Sequence, residues 1–228
     1  MKNLTETLHH IPGTRREYVA FSGANATTPY LSDTQQKYQR KLFASVDEVL
    51  DRCDLHDGMT VSFHHAFREG DKVINYVMEK LAQRGLKGIT LASSSLMSCN
   101  APLIEHIRSG VIGKIYTSGM RGELADAISH GLMDEPVQIH SHGGRVNLIQ
   151  KGEIAIDVAF LAVSCSDEYG NASGNGGTSQ CGSLGYAMVD AQYAKKVVLL
   201  TETLKPFPNL PASIVQDRVD YVVQIESV

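Results

Sequence analysis

Val158-Ala159-Phe160-Leu161-Ala162-Val163 runs straight into Ser164-Cys165-Ser166-Asp167-Glu168-Tyr169-Gly170-Asn171. Six apolar residues bounded by turn formers read as a strand buried on both faces, the mark of a parallel sheet. The polar tail, with Gly174, Gly176 and Gly177 beyond it, falls where an open α/β sheet binds ligands, past the carboxyl ends of its strands. The competing reading is a Gly/Asn-rich surface turn.

Strand-like and helix-like segments alternate on both sides of this stretch. Ser45 and Glu48 have capping-box spacing, which predicts a helix with Val46, Val49 and Leu50 on its apolar face. Met59–Phe63 reads as the first core strand, followed by a loop from His64 to Gly70. The spacing predicts a helix over 71–84, with Val73, Tyr76, Val77 and Leu81 on one face and Gly85 as its stop. Strands are expected at Ile89–Ala92, Lys114–Thr117 and Val137–His140, with helices from Pro102 to Arg108 and from Glu123 to Leu132 between them. Asn147–Gln150 and Ile154–Val163 read as extended runs, and Ala187–Lys195 as a weak helix. Val197–Thr201 and Tyr221–Ile225 read as the last strands. This alternation predicts an α/β domain, a mostly parallel sheet with helices on both faces. Residues 1–42 read as an N-terminal arm and 43–228 as the domain. The chain ends three residues after its last strand, as if cut short.

At 228 residues and 43% hydrophobic content the chain can bury a core without disulfides. Its net charge of −4 is mixed along the chain, which argues against a nucleic-acid footprint. Cys53, Cys99, Cys165 and Cys181 form no CxxC pair. No stretch reaches a membrane span, and no apolar leader opens the sequence, so the expected home is the cytoplasm.

Polar loops recur after the strand ends: Ser62-Phe63-His64-His65, Ser93-Ser94-Ser95, Ser118-Gly119, Ser141-His142-Gly143-Gly144 and Asp167–Asn171. In a parallel sheet these ends line one edge, so hydroxyls, imidazoles and glycine amides converge there. Such donors suit a small anion or an oxyanion. His140, His142, His64, His65 and Asp167 also offer metal-type donors, but no HExxH or Cys/His cluster supports a metal site, and none is expected. Gly-x-Ser-x-Gly and Walker A patterns are absent, and Gly174-x-Gly176-Gly177 follows a polar loop rather than a strand. Cys165 or Cys181 as nucleophile would need a neighbouring base; a buried structural thiol fits better.

Several of these stretches resemble one known family. They are Asp57–Arg68, Leu91–Leu96, Ile115–Gly119, Pro136–Arg145 and Asp157–Leu161, in this order, and they look like the citrate lyase α subunit. The likeness runs from about Phe43 to the end and covers the first of the family's two similar halves. Asp167-Glu168-Tyr169-Gly170-Asn171 is similar to the broader coenzyme A-transferase pattern of Asp, two variable residues, then Gly-Asn.

The resemblance implies a coenzyme A-transferase-like domain and a citrate:acetyl-carrier-protein acyl exchange, forming citryl-carrier protein and acetate. It implies a coenzyme A-type thioester as substrate, with no cofactor bound covalently to this chain. It implies citrate lyase β and acyl-carrier γ subunits as partners, with a homo-oligomer expected and neither nucleic acid nor membrane involved. On that reading His64, His65, Gly143 and Gly144 are catalytic candidates, their amides serving as oxyanion donors. Arg68, Ser93, Ser94, Ser95, Ser118, His142, Arg145, Asp167 and Asn171 are candidates for binding substrate. No nucleophile is carried over, because in many coenzyme A-transferases a Glu in the second half fills that role. A metal-dependent hydrolase and a non-catalytic assembly domain remain the alternatives.

Overall fold

The computed structural model describes residues 39–227. The expected arm lies outside them except at its end. Leu42–Phe43 forms β1, so the expected boundary at residue 43 cuts a strand. Eight strands build one sheet: β1, β2 (Thr60–Phe63), β3 (Ile89–Ser93), β4 (Ile112–Thr117), β5 (Gln138–Ile139), β6 (Val158–Ala162), β9 (Lys196–Thr201) and β10 (Tyr221–Gln224). Their order is β1-β10-β9-β6-β2-β3-β4-β5, and every pairing is parallel. β7 (Cys165–Ser166) and β8 (Ala172–Ser173) form a separate antiparallel pair beyond β6.

Helices cover both faces. Against one face lie α1 (Val46–Leu50), α2 (Val73–Gln83), α3 (Leu103–Arg108) and α4 (Gly122–Ser129), with Val61, Phe63, Leu91, Val158, Phe160, Val198 and Leu200 beneath them. Against the other lie α5 (His142–Gln150) and α6 (Tyr186–Tyr193), over Ala92, Ala159, Leu161, Val197 and Leu199. Alternate residues of one strand thus feed opposite cores, and all of β6 is buried.

α1 is capped as the spacing requires: Ser45 Oγ accepts the Glu48 N–H at 3.1 Å, and Glu48 Oε2 accepts the Ala44 N–H. In α2 the buried residues are Val73, Ile74, Val77, Met78 and Leu81. Tyr76, expected among them, is exposed; Ile74 and Met78 complete the inward stripe instead. Gly85 ends α2 at φ 78°.

One expectation is overturned. Asn147–Gln150, read as extended, belongs to α5, and Ser141–Arg145, read as a loop, is its start. Two adjacent glycines cost a helix roughly 2 kcal/mol together. Ser141 offsets this as N-cap, its Oγ accepting the Gly144 N–H at 3.0 Å, while Arg145 and Ile149 anchor the helix inside.

The chain leaves β2 toward β3, β4 and β5 on one side, and leaves β6 toward β9 and β10 on the other. β2 and β6 are neighbours, so a topological switch point lies between their carboxyl ends.

Candidate functional site

The residues that follow β2 stand at this switch point. His64 is buried, and its Nδ1 has no hydrogen-bond partner. His65 is half-buried; its Nδ1 lies 2.5 Å from Ser94 Oγ, which also accepts the His65 N–H at 3.2 Å. The loops after β3, β4 and β5 stack alongside. Ser94 donates its N–H to Phe63 O, Ser118 to Ser94 O and His140 to Thr117 O. Ser118 Oγ and His140 Nε2 are buried and unpartnered, like His64 Nδ1.

From the α5–α6 face two rings come down on this edge. His142, the first residue of α5, lies with its ring 4.8 Å from that of Tyr186, the first residue of α6, tilted at 40° to it. Tyr186 lies 6.0 Å from His64, and His64 lies 5.7 Å from His65. The N–H groups of His142 and Gly143, at the first two helical positions, have no intrahelical acceptor. A Cβ built on Gly143 meets nothing within 4 Å, so this turn faces open space.

The electrostatics favour an anion. Burial pushes the His64 imidazole down to about 4; the Asp190 charge opposes this, and His65, Arg145 and His142 add to it. His65 is also lowered, by burial first and then by the charges of His142, Arg68, Arg121 and Arg145. Both shifts favour the neutral imidazole, which carries one N–H donor. Arg68 and Arg121 are exposed beside them. Arg68 has φ 56°, the one positive-φ residue other than glycine among the described residues. Neutral donors with a cationic rim hold carboxylates well.

Several expected site residues are spent on structure instead. Arg145 is 1% exposed. Its fork grips Asp190 at 2.7 and 2.8 Å and reaches Ser62 Oγ at 3.0 Å, so it does not present its guanidinium to a ligand. Asp167 is fully buried. Its Oδ1 accepts the N–H groups of Tyr169, Gly170 and Asn171, and its Oδ2 those of Asn209 and the Asn171 side chain. Asn171 is bound in turn to Gln216. Ser93 is buried with its Oγ on Ser95 O, and the Gly144 N–H is taken by Ser141. The convergent residues are thus His64, His65, Ser94, Ser118, His142 and Gly143, with Arg68 at the rim.

Tyr186, Arg121 and Asp190 were missed as contributors, and His140 was read only as a metal-type donor. Tyr186 lies one residue before the helix read from the sequence, and Gly185 at φ 50°, where a turn bends into a helix, was the available signal. No local pattern marks Arg121 or Asp190. Among the described residues no group of three His, Cys, Asp or Glu side chains is placed to hold a metal ion. No helix there is long and apolar enough to cross a membrane.

This geometry has known counterparts. An acyl-coenzyme A transferase of Escherichia coli O157:H7, solved as a thioester complex with coenzyme A, superposes with a TM-score of 0.59 at 13% identity, over 86% of this chain and 49% of that one. That likeness shows the fold, which is coenzyme A-transferase-like. The citrate lyase alpha subunit of Streptococcus mutans, solved with citrate, is 50% identical with a TM-score of 0.82, over 84% of this chain and 38% of that one. The citrate lyase alpha chain of Klebsiella pneumoniae is 59% identical over 208 residues, 91% of this chain and 41% of its own length. This chain therefore spans about two fifths of that relative. Residues 39–228 match the family described as "Citrate lyase, alpha subunit", and the chain belongs to that family.

Proposed function

We propose that this chain supplies one wall of an acyl-exchange site that moves a thioester from acetate to citrate. The carrier is an acyl-carrier-protein prosthetic group or coenzyme A itself. One observation carries the reading: the unspent donors of the described edge line the carboxyl ends of the strands, from the β2–β6 switch point across to β5. His64 Nδ1, Ser118 Oγ, His140 Nε2 and the first-turn amides of α5 stand there beside two exposed arginines. The Streptococcus mutans relative, solved with citrate, supports citrate as the acid.

The chemistry needs few groups. A citrate carboxylate attacks the acetyl thioester carbon, the C–S bond breaks, and a mixed anhydride and a thiolate result. The thiolate then attacks the citryl carbonyl and acetate leaves, with no net proton change. Positioning supplies most of the acceleration, at best about 7–11 kcal/mol. The Gly143 N–H and a neutral imidazole N–H from His64 or His65 are donors for the tetrahedral oxyanion. Arg68 and His142 hold the remaining citrate carboxylates. The thioester is substrate, and no cofactor attached to this chain enters.

In this reading the chain works in the cytoplasm, within a homo-oligomeric complex with citrate lyase β and acyl-carrier γ subunits. The test is to supply acetyl-coenzyme A and citrate to the complex carrying this chain and weigh the thioester by mass spectrometry. Citryl thioester is the expected product. Its absence, with the carrier protein also supplied, contradicts the reading.

A further inference from the structure

Arg145 is the largest fully buried side chain among the described residues, and it lies in an apolar layer with Ala159, Leu161, Ala187 and Ala191. Its NH1 donates to Asp190 Oδ1 at 2.7 Å; its NH2 donates to Asp190 Oδ2 at 2.8 Å, Ser62 Oγ at 3.0 Å and Ala92 O at 3.1 Å. Ser62 Oγ closes the ring with a short hydrogen bond to Asp190 Oδ2. A buried pair of this kind is often no more stabilising than well-packed apolar residues of the same volume. Its presence asks for a role besides stability.

The spacing supplies one. Arg145 lies three residues along α5 from His142, Asp190 four residues along α6 from Tyr186, and Ser62, in β2, two residues before His64, the first residue past that strand. Three to four residues is one helical turn, and two is one strand repeat, so each buried group shares a face with one ring of the site. Three elements meet at a three-way polar node, and one repeat further on the same three elements meet again as His142, Tyr186 and His64, with rings 4.8 and 6.0 Å apart. The Ser141 cap fixes the first turn of α5 but not its rotation against α6. α5 begins with two glycines beyond His142, and α6 follows Gly185 with no side-chain cap. The guanidinium fork is rigid and bidentate, so it sets both the separation and the rotation of the helices it joins.

We infer that Arg145, Asp190 and Ser62 are positioning residues, a buried template that holds His142, Tyr186 and His64 at their working separation. The inference rests on the acyl-exchange reading for its activity test, but not for its spectroscopic one. Arg145→Lys keeps the charge and loses the fork; Arg145→Met with Asp190→Leu removes the polar node and keeps the volume. A displacement near 1 Å at a reacting group costs roughly 100-fold in rate.

The experiment uses the complex carrying this chain, with activity expressed per folded molecule. Three variants are compared with wild type: Arg145→Met/Asp190→Leu, Arg145→Lys and Asp190→Glu. Expected is a kcat lowered about 10- to 100-fold with a smaller change in citrate KM. The ring resonances of His64 and His142 shift by NMR while the melting temperature of at least one variant stays near wild type. Full activity per folded molecule, with unmoved His64 and His142 resonances, overturns the inference. If wild type makes no citryl thioester, the functional reading fails alone, and the histidine resonances still decide the template.

Discussion

Two polar loops follow neighbouring strands of the same sheet, and they use their polar groups in opposite ways. After β6, the Asp167–Asn171 loop spends everything. One buried carboxylate takes five donors, and Asn171 ties Asp167 to Gln216 and Asn209. After β2, at His64-His65, and at the α5 start, donors are left over: His64 Nδ1, and the His142 and Gly143 amides. The first arrangement builds a rigid floor, because buried polar groups stabilise only when satisfied. The second holds back groups that a ligand can satisfy. Both loops are polar; the partner of each donor tells scaffold from candidate site.

The widest break between them is expected at Asp167. Asp167→Ala removes the carboxylate that accepts four backbone N–H groups, from Tyr169, Gly170, Asn171 and Asn209, and the Asn171 side-chain amide, which costs about 3–5 kcal/mol of stability. Chemical denaturation checks this, and a loss below 1 kcal/mol contradicts the floor.

On the unspent side the signature is acid sensitivity. His64 titrates at about 4 folded against 6.5 for a free imidazole. The unfolded chain takes up the proton first, so stability is lost as pH falls from 6.5 toward 4, by up to about 3 kcal/mol. Asp71, buried nearby in sequence with its Oδ2 unpartnered, works against this. Burial raises it from 3.8 to about 6, so its contribution is full below 3.8 and lost as pH rises through 6. Asp71→Asn is expected to raise stability at pH 7 by roughly 2–3 kcal/mol and to steepen the decline between pH 6 and 4. Melting temperature against pH for both proteins reads out the two signs.

Gly143→Val is expected to leave folding nearly intact, since its Cβ meets nothing, and to lower turnover about 100-fold by filling the space before the α5 amides. Unchanged turnover removes Gly143 from the site. The smallest effect is expected at Ser94→Ala, which frees the His65 ring and costs about 1 kcal/mol, near fivefold in kcat/KM.

Much of the fold was legible because its signals are local. Val158–Val163 and Val197–Thr201 are β-branched or apolar runs that only a buried parallel strand explains, and Ser45 with Glu48 is a cap spelled out in four residues. α5 was not legible. Its glycines argue against a helix, and what overrides them is Arg145 meeting Asp190 across 45 residues of chain. The candidate site was half legible for the same reason. His64, His65, Ser94, His142 and Gly143 stand out as residue types at strand ends. Nothing local shows that Arg145 and Asp167 turn inward, or that Tyr186 turns toward His142, because those facts belong to pairs distant in sequence.

The most direct test of the central claim follows citrate itself into the protein carrying this chain. With 15N labelling, the amides of Gly143 and His142 and the rings of His64 and His65 are expected to shift as citrate is added, while the amides of Tyr169, Gly170 and Asn171 stay in place. Shifts confined to Gly170 and Asn171, with Gly143 unmoved, would contradict the account and return the site to the Asp167 loop.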